Sequence, residues 1–230
     1  MKAILSLVLL ASAAITLPAM AASKDDAFVI DKKEFKKQLK TIALSPIDAD
    51  PVLKMPDSVA VMVEEEITKH LEKRGYVVIP SSVLGGIRKK MEAQVGGVTN
   101  PETGGIYVER LQAVRTHGFR ELWFRHQFDA VASIRVSASR VRFEKDRAEW
   151  DGVRQKVQKK GGGSFSGNIF VSSVAFSVFD DTDAMLYSNR GGLEVLMRRE
   201  KDQLVPIEAE NYFLDEKLIR KAAQIALKPI

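Results

Sequence analysis

Two short apolar runs on either side of one amphipathic helix constrain the fold of this chain more than any other feature. The runs span residues 41–46 and 76–79, and a proline ends the first and follows the second. Between them, Asp57 or Ser58 is predicted to cap a helix that Gly75 ends. The apolar side chains of this helix recur every four residues, at Val59, Val63, Ile67 and Leu71. A strand, a helix and a second strand in this order predict a parallel crossover, since parallel strands need a long connection.

The period of the apolar residues changes from helical to two at Ala130. From there to Ser139, apolar residues alternate with mostly polar ones, which predicts a strand with one buried face. Further helices are predicted at 31–39, 82–93, 107–125 and after Asp215, and further strands near 148–157, 169–179, 184–187, 193–197 and 204–207. The paired and tripled glycines are predicted to lie mostly in loops. This order of elements predicts a single mixed α/β (α+β) domain over residues 22–230, with a mixed parallel and antiparallel sheet flanked by helices.

The first twenty-one residues have the pattern of a cleaved signal peptide. Lys2 precedes an apolar stretch over residues 3–17, and small residues then lead to a predicted cleavage site between Ala21 and Ala22. The stretch is shorter than the roughly 20 residues that span a bilayer. No later segment reaches eighteen consecutive apolar residues, so no transmembrane span is predicted in the mature chain. The predicted location is the bacterial periplasm, with a freely secreted product as the alternative.

The chain contains few of the side chains that most often act in catalysis or bind metals. The chain has no cysteine, which excludes disulfides, thiol nucleophiles and Cys-ligated metals, and it has three histidines. His117 and His126 are nine residues apart on a predicted helix and therefore point to opposite sides. His70 lies one turn from Glu66, which predicts an ion pair. We therefore expect no catalytic residue, no metal and no cofactor.

Three motifs resemble known sites but lack the residues, or the order of residues, that those sites require. In residues 159–164 the lysines precede the glycines, whereas a phosphate-binding loop has its lysine after them, so a flexible hairpin loop is predicted. In residues 163–167, Phe165 occupies the position where a hydrolase elbow needs serine. Residues 180–183 lack the glycine and the later glutamate of a calcium loop, so a polar turn is predicted.

A basic segment is the main candidate for an interaction surface. Residues 135–160 contain nine basic and four acidic residues, although the whole chain carries a net charge of only +5. Such a patch could meet an anionic partner, and the alternative is a solvated pair of strands whose charges discourage aggregation. A second candidate is the aromatic segment 122–128. Its rings cannot all share one helix face, so at least one ring is predicted to cap the sheet or to be exposed at an interface. The alternative is that the rings pack in the core. The candidate residues are Arg140, Arg142, Arg147, Trp150, Arg154, Lys156 and Trp123.

Four segments resemble the periplasmic α/β domains of cell-envelope assembly lipoproteins. They are KTIALSP at 40–46 with the capped helix after it, GYVVIP at 75–80, FDAVA at 128–132, and the closing helix through 222–229. This group includes the curli secretion-channel subunit, activators of peptidoglycan synthases and the N-terminal domain of the Tol–Pal β-propeller protein. The resemblance implies a mixed sheet with helices on its faces and a role in docking another envelope component. Those relatives are often lipid-anchored through a cysteine, which this chain lacks, and the resemblance transfers no functional residue.

Three functions follow as hypotheses. The first is a non-catalytic, exported adaptor or assembly domain that docks another cell-envelope protein. The alternative is a binding module for an anionic envelope polymer, such as peptidoglycan, or for a lipid surface, through residues 135–160. A third hypothesis is an envelope hydrolase that uses Glu144, Glu149 or Asp151. Export argues against a nucleic-acid partner, and a homo-oligomer stays open.

Overall fold

The computed structural model describes residues 27–157, 159–160, 165–201 and 203–230. The predicted signal peptide, with its cleavage site at Ala21 and Ala22, lies outside the described residues, as does the glycine loop 161–164. The described residues form five α-helices: α1 (Lys32–Gln38), α2 (Asp57–Lys73), α3 (Ser81–Gln94), α4 (Val108–His126) and α5 (Glu216–Leu227). Their strands are β1 (Thr41–Leu44), β2 (Asp48–Ala49), β3 (Val77–Ile79), β4 (Ala130–Glu144), β5 (Arg147–Trp150), β6 (Val153–Lys156), β7 (Lys159–Lys160), β8 (Gly167–Phe179), β9 (Met185–Val195), β10 (Met197–Glu200) and β11 (Gln203–Pro206).

The predicted parallel crossover is confirmed. β1 lies between β3 and β4 and runs parallel to both, and α2 connects β1 to β3. The predicted capping residue is wrong: Pro56 occupies the N-cap of α2, without a side-chain hydrogen bond, and Asp57 and Ser58 belong to the first turn. Asp57 is still favourable there, because its charge opposes the helix dipole. Gly75, at φ +89°, follows the end of the helix as predicted.

The long strand β4 organises the main sheet. Its first half pairs with β1 and β2, and it pairs antiparallel with β8 from Val131 to Phe143. β8 pairs in turn with β9, and β5 and β6 extend the sheet from the end of β4. A smaller sheet contains β7, β10 and β11. The chain is therefore one mixed α/β fold with parallel and antiparallel pairing, as the sequence predicts.

The predicted strand at 148–157 is in fact a tight hairpin. Asp151 and Gly152, at φ +40° and +76°, form the turn between β5 and β6, which is the conformation that suits two-residue hairpins. The hairpin also contacts β9, because the amide of Gly192 donates to the Asp151 carbonyl and the Gln155 side chain donates to the Leu193 carbonyl. β4, β5, β6, β8 and β9 therefore enclose a separate small core.

Helices cover the two faces of the main sheet unequally. On one face, α1, α2 and α5 bury Ala130, Ala132, Ile134 and Val136 of β4, which confirms the predicted alternation. On the other face, α3 and α4 cover only the first part of the sheet, around Val131. The hairpin covers the far end, around Phe143 and Trp150. Within the described residues, no helix combines the length and apolar character that crossing a membrane requires.

The glycine pairs lie less often in loops than predicted. Gly85 and Gly86 belong to the interior of α3, and Gly191 and Gly192 belong to β9. A Cβ atom at Gly191 would lie 2.8 Å from the carbonyl carbon of Ala222 and closer still to its oxygen. Gly191 is required because α5 lies directly against the strand, and Gly192 because Trp150 and Val153 of the β5–β6 hairpin lie against it. The sequence reveals neither contact.

Candidate interaction surface

The basic residues of the end of β4 and of the β5–β6 hairpin share one exposed face. Side chains alternate along each strand, and the register sets Arg147 opposite both Glu144 and Lys156, and Glu149 opposite Arg154. We call this surface the basic strand face. It consists of Arg140, Arg142, Arg147, Arg154 and Lys156, with Glu144 and Glu149 among them, and all seven side chains are exposed.

The two acidic residues neutralise this face only in part. Arg142 Nε lies 3.3 Å from Glu144, and Arg154 Nε lies 4.0 Å from Glu149. Such exposed pairs contribute little, because water and salt screen them. The three other cations of the face (Arg140, Arg147 and Lys156) form no ion pair within the described part of the chain. The formal charge of the basic strand face is therefore +3.

The prediction that Trp150 belongs to this surface is wrong. Its side chain is 7% exposed and packs with Phe143, Ile169 and Val171 in the small core. The indole N–H donates a hydrogen bond of 3.1 Å to the carbonyl of Ser172. In β5, Trp150 alternates with the outward Arg147 and Glu149, so the periodicity of the segment contained the signal for burial.

Phe170 belongs beside the basic strand face, although the sequence did not indicate it. Phe170 lies opposite Arg140 in the β4–β8 ladder, and Asn168 lies opposite Arg142. The ring is 49% exposed. Only the register of two strands far apart in sequence brings this aromatic side chain to the edge of the cationic cluster.

Trp123 lies on α4, apart from the basic strand face. It is 53% exposed, and the neighbouring Phe124 is 79% exposed, whereas Leu122 and Phe128 are buried. The aromatic segment is thus divided between core and surface. Trp123 and Phe124 line a cleft of about 850 Å³ beside α3.

Arg135, the first cation of the basic segment, points to the opposite face of β4. Its guanidinium contacts Asp50 at 2.8 Å and Asp48 at 3.5 Å. Burial raises the pKa of Asp50, but hydrogen bonds from Arg135 and the Ala138 amide outweigh it and hold the pKa below its usual value. Arg135 is thus neutralised within the fold and adds nothing to the basic strand face.

The carboxylates proposed for hydrolysis do not converge. Glu144 and Glu149 lie on the basic strand face, whereas Asp151 accepts hydrogen bonds from Ser173 Oγ at 2.6 Å and from Arg190 at 3.1 Å. Among the described residues, no cluster of three or more His, Asp or Glu side chains could hold a metal ion. The turn predicted at 180–183 is confirmed, with the Asp180 carboxylate accepting from Thr182 and from the Ala184 amide.

The predicted ion pair between His70 and Glu66 is wrong. The Glu66 carboxylate accepts from Gln224 at 2.7 Å and from Arg220 at 3.5 Å, both on α5. His70 Nε2 is buried and has no hydrogen-bond partner among the described residues. Burial, followed by the charge of Arg74, lowers the pKa of His70 below its usual value.

No protein-family model matches the chain, and no curated protein matches it. The resemblance to envelope-assembly domains therefore stays a prediction.

Proposed function

We propose that this protein is a non-catalytic adaptor or assembly domain of the bacterial cell envelope that docks another envelope component through the basic strand face. One observation carries the proposal: Arg140, Arg147 and Lys156 point outward from the same face, and no described acidic residue pairs with them. An exposed face of charge +3 is complementary to an acidic surface and would speed the encounter with it. The occupant that fits best is an acidic patch on another envelope protein.

The regular spacing of the cations supports docking to a surface rather than binding of a small molecule. The cations extend from three hydrogen-bonded strands, on which neighbouring strands are about 4.8 Å apart and alternate residues about 6.8 Å apart. The inner side chains Phe143, Ala148 and Val153 are buried and anchor the same strands. The array is therefore broad, exposed and held by a packed core, as a protein interface requires.

The location rests on the leader pattern in residues 1–21, together with the absence of cysteine. We expect the mature protein to begin at Ala22 and to appear in the periplasmic fraction. Mass spectrometry of the N-terminal peptide from fractionated cells tests this. An uncleaved chain in the cytoplasmic fraction would contradict export.

Site-specific photo-crosslinking tests docking. A benzoylphenylalanine at position 170 should form a discrete adduct with one envelope protein in intact cells, whereas the same group at Val61, exposed on α2, should not. Charge reversal by Arg140→Glu, Arg142→Glu and Arg154→Glu should reduce the adduct about tenfold. The matched control reverses three exposed lysines on α1 and α3, with Lys33→Glu, Lys89→Glu and Lys90→Glu. Equal adducts from both triple variants would refute the docking face.

A second candidate function is binding to an anionic envelope polymer or lipid surface. The half-exposed Phe170 beside Arg140 favours it, because an aromatic ring next to cations suits a membrane interface. Cosedimentation with anionic liposomes and with peptidoglycan, at low and high salt, tests it. Binding that falls steeply with salt and is lost on charge reversal supports this function, and salt-independent or absent binding contradicts it.

A further inference from the structure

A second concentration of positive charge lies between α2 and α5, on residues that do not belong to the basic strand face. The two helices form a cleft of about 530 Å³ in which both of their carboxyl-terminal ends meet. We call it the α2–α5 cleft. Its lining includes Lys69, His70, Lys73, Arg74, Lys221 and Lys228.

The cations of this cleft have no acidic partner in the described part of the chain, since none of the four lysines or Arg74 forms an ion pair there. The acidic residue that lines the cleft, Glu66, is 7% exposed and already bonded to Gln224 and Arg220 of α5. Glu66 therefore serves to hold the two helices together, and its charge is balanced by Arg220.

The negative ends of the two helix dipoles balance only part of the positive charge in the cleft. Cations are favourable at helix carboxyl termini, and each terminus carries about half a negative charge. Two termini thus balance about one of the five positive charges, which leaves about four unbalanced. Like charges that line one cleft repel one another, so an anion in the cleft would remove an unfavourable interaction as well as form new ones.

We propose that the α2–α5 cleft binds a phosphate-type oxyanion that carries two or more negative charges. A single carboxylate would leave most of the excess charge unbalanced, whereas a phosphate or pyrophosphate group offers several oxygens to lysines that approach from both helices. His70 also lines the cleft, but its Nε2 is buried, so the ring would respond to the charge of the anion rather than bind it. The phosphate could be free in solution or belong to a lipid headgroup, since the same chemistry recognises both.

Titration calorimetry of the purified protein with inorganic pyrophosphate tests the proposal. The variant Lys73→Gln/Lys221→Gln removes one exposed cation from each helix and should raise the Kd at least about tenfold. The matched control Lys89→Gln/Lys90→Gln, on α3, should bind like the wild type. Pyrophosphate binding weakened equally by both double variants would show nonspecific attraction and overturn the proposal.

A second experiment distinguishes a lipid phosphate from a free phosphate. It measures binding to vesicles of phosphatidylcholine, with and without phosphatidic acid. Binding to the phosphatidic acid vesicles that the cleft variant loses and the α3 control retains would assign the cleft to a lipid phosphate. Binding of pyrophosphate alone, with the same pattern among the variants, would assign it to a free phosphate. Binding of neither ligand would overturn the proposal.

His70 provides a readout that depends on position as well as on charge. It faces Glu66, Lys73 and Arg74 of its own helix and the Leu227 carbonyl of α5, with Lys221 and Lys228 also lining the cleft. A bound dianion should raise the pKa of His70 in an NMR titration, because negative charge favours the protonated ring. The NMR signals of His117 and His126, both on α4, should not respond to pyrophosphate and serve as internal controls. An unchanged His70 in the presence of saturating pyrophosphate would overturn the proposal.

Discussion

Replacing Gly191 by alanine would insert a methyl group into the contact between β9 and α5. Its Cβ would lie 2.8 Å from the carbonyl carbon and still closer to the carbonyl oxygen of Ala222, and 3.0 Å from the amide nitrogen of Ala226. These are backbone atoms of α5, so no side-chain rotation relieves the overlap. Either α5 must move away from the sheet or β9 must bend.

Movement of α5 would also weaken its hydrogen bonds to the strand. Tyr187 Oη donates to the Ala226 carbonyl at 2.6 Å, and Asn189 Nδ2 donates to the Ile225 carbonyl at 3.1 Å. Overpacking of a core typically costs about 1–3 kcal/mol, and the rigid obstacle here places Gly191→Ala near about 3 kcal/mol. For a domain of this size the melting temperature should fall by about 6–12 °C.

Urea unfolding monitored by circular dichroism measures this effect, with an unchanged m-value as the check that only stability changed. Gly86→Ala is the matched control. Gly86 lies exposed within α3, and no side chain or neighbouring element comes within 4 Å of the position that an added methyl group would occupy. This variant should gain about 0.5–1 kcal/mol. A loss below about 1 kcal/mol for Gly191→Ala would refute the reasoning that α5 lies directly against β9.

Two further predictions concern a buried tryptophan and a partly buried carboxyl group. The variant Trp123→Phe retains only the buried Trp150, whose fluorescence should resist quenching by iodide and lie at a shorter wavelength than that of Trp123. The variant Trp150→Phe retains only the exposed Trp123, which iodide should quench readily. Equal quenching of the two variants would contradict the difference in burial. Burial, followed by the charge of Asp215, raises the pKa of Glu194 above its usual value, so the stability linked to its protonation is lost as the pH rises through the folded pKa. Glu194→Gln, which keeps an acceptor for the Phe213 amide, should therefore be more stable than the wild type at pH 7, with the difference vanishing below about pH 4. Urea midpoints across this pH range measure it, and a less stable glutamine variant at pH 7 would contradict the sign.

The elements that could be predicted from the sequence are those specified by local patterns. The four-residue stripe of α2, the two apolar runs beside it and the period of two after Ala130 depend on neighbours within a few turns or a few strand residues. The inward position of Trp150 is also contained in its alternation with Arg147 and Glu149. The prediction for this residue is wrong because a tryptophan among arginines suggests an exposed surface.

The sequence by itself determined the order of the helices, the parallel crossover, the apolar face of β4, and that nine cations concentrate between residues 135 and 160. Only the tertiary structure decided which of those cations share a face, since the register of the hairpin joined five of them and the strand alternation turned Arg135 away. It likewise placed Phe170 at their edge and brought Lys73 of α2 and Lys221 of α5 to the same cleft. The physical reason is that local periodicity fixes the direction of a side chain relative to its own element, whereas charge density at a surface depends on how distant elements pack.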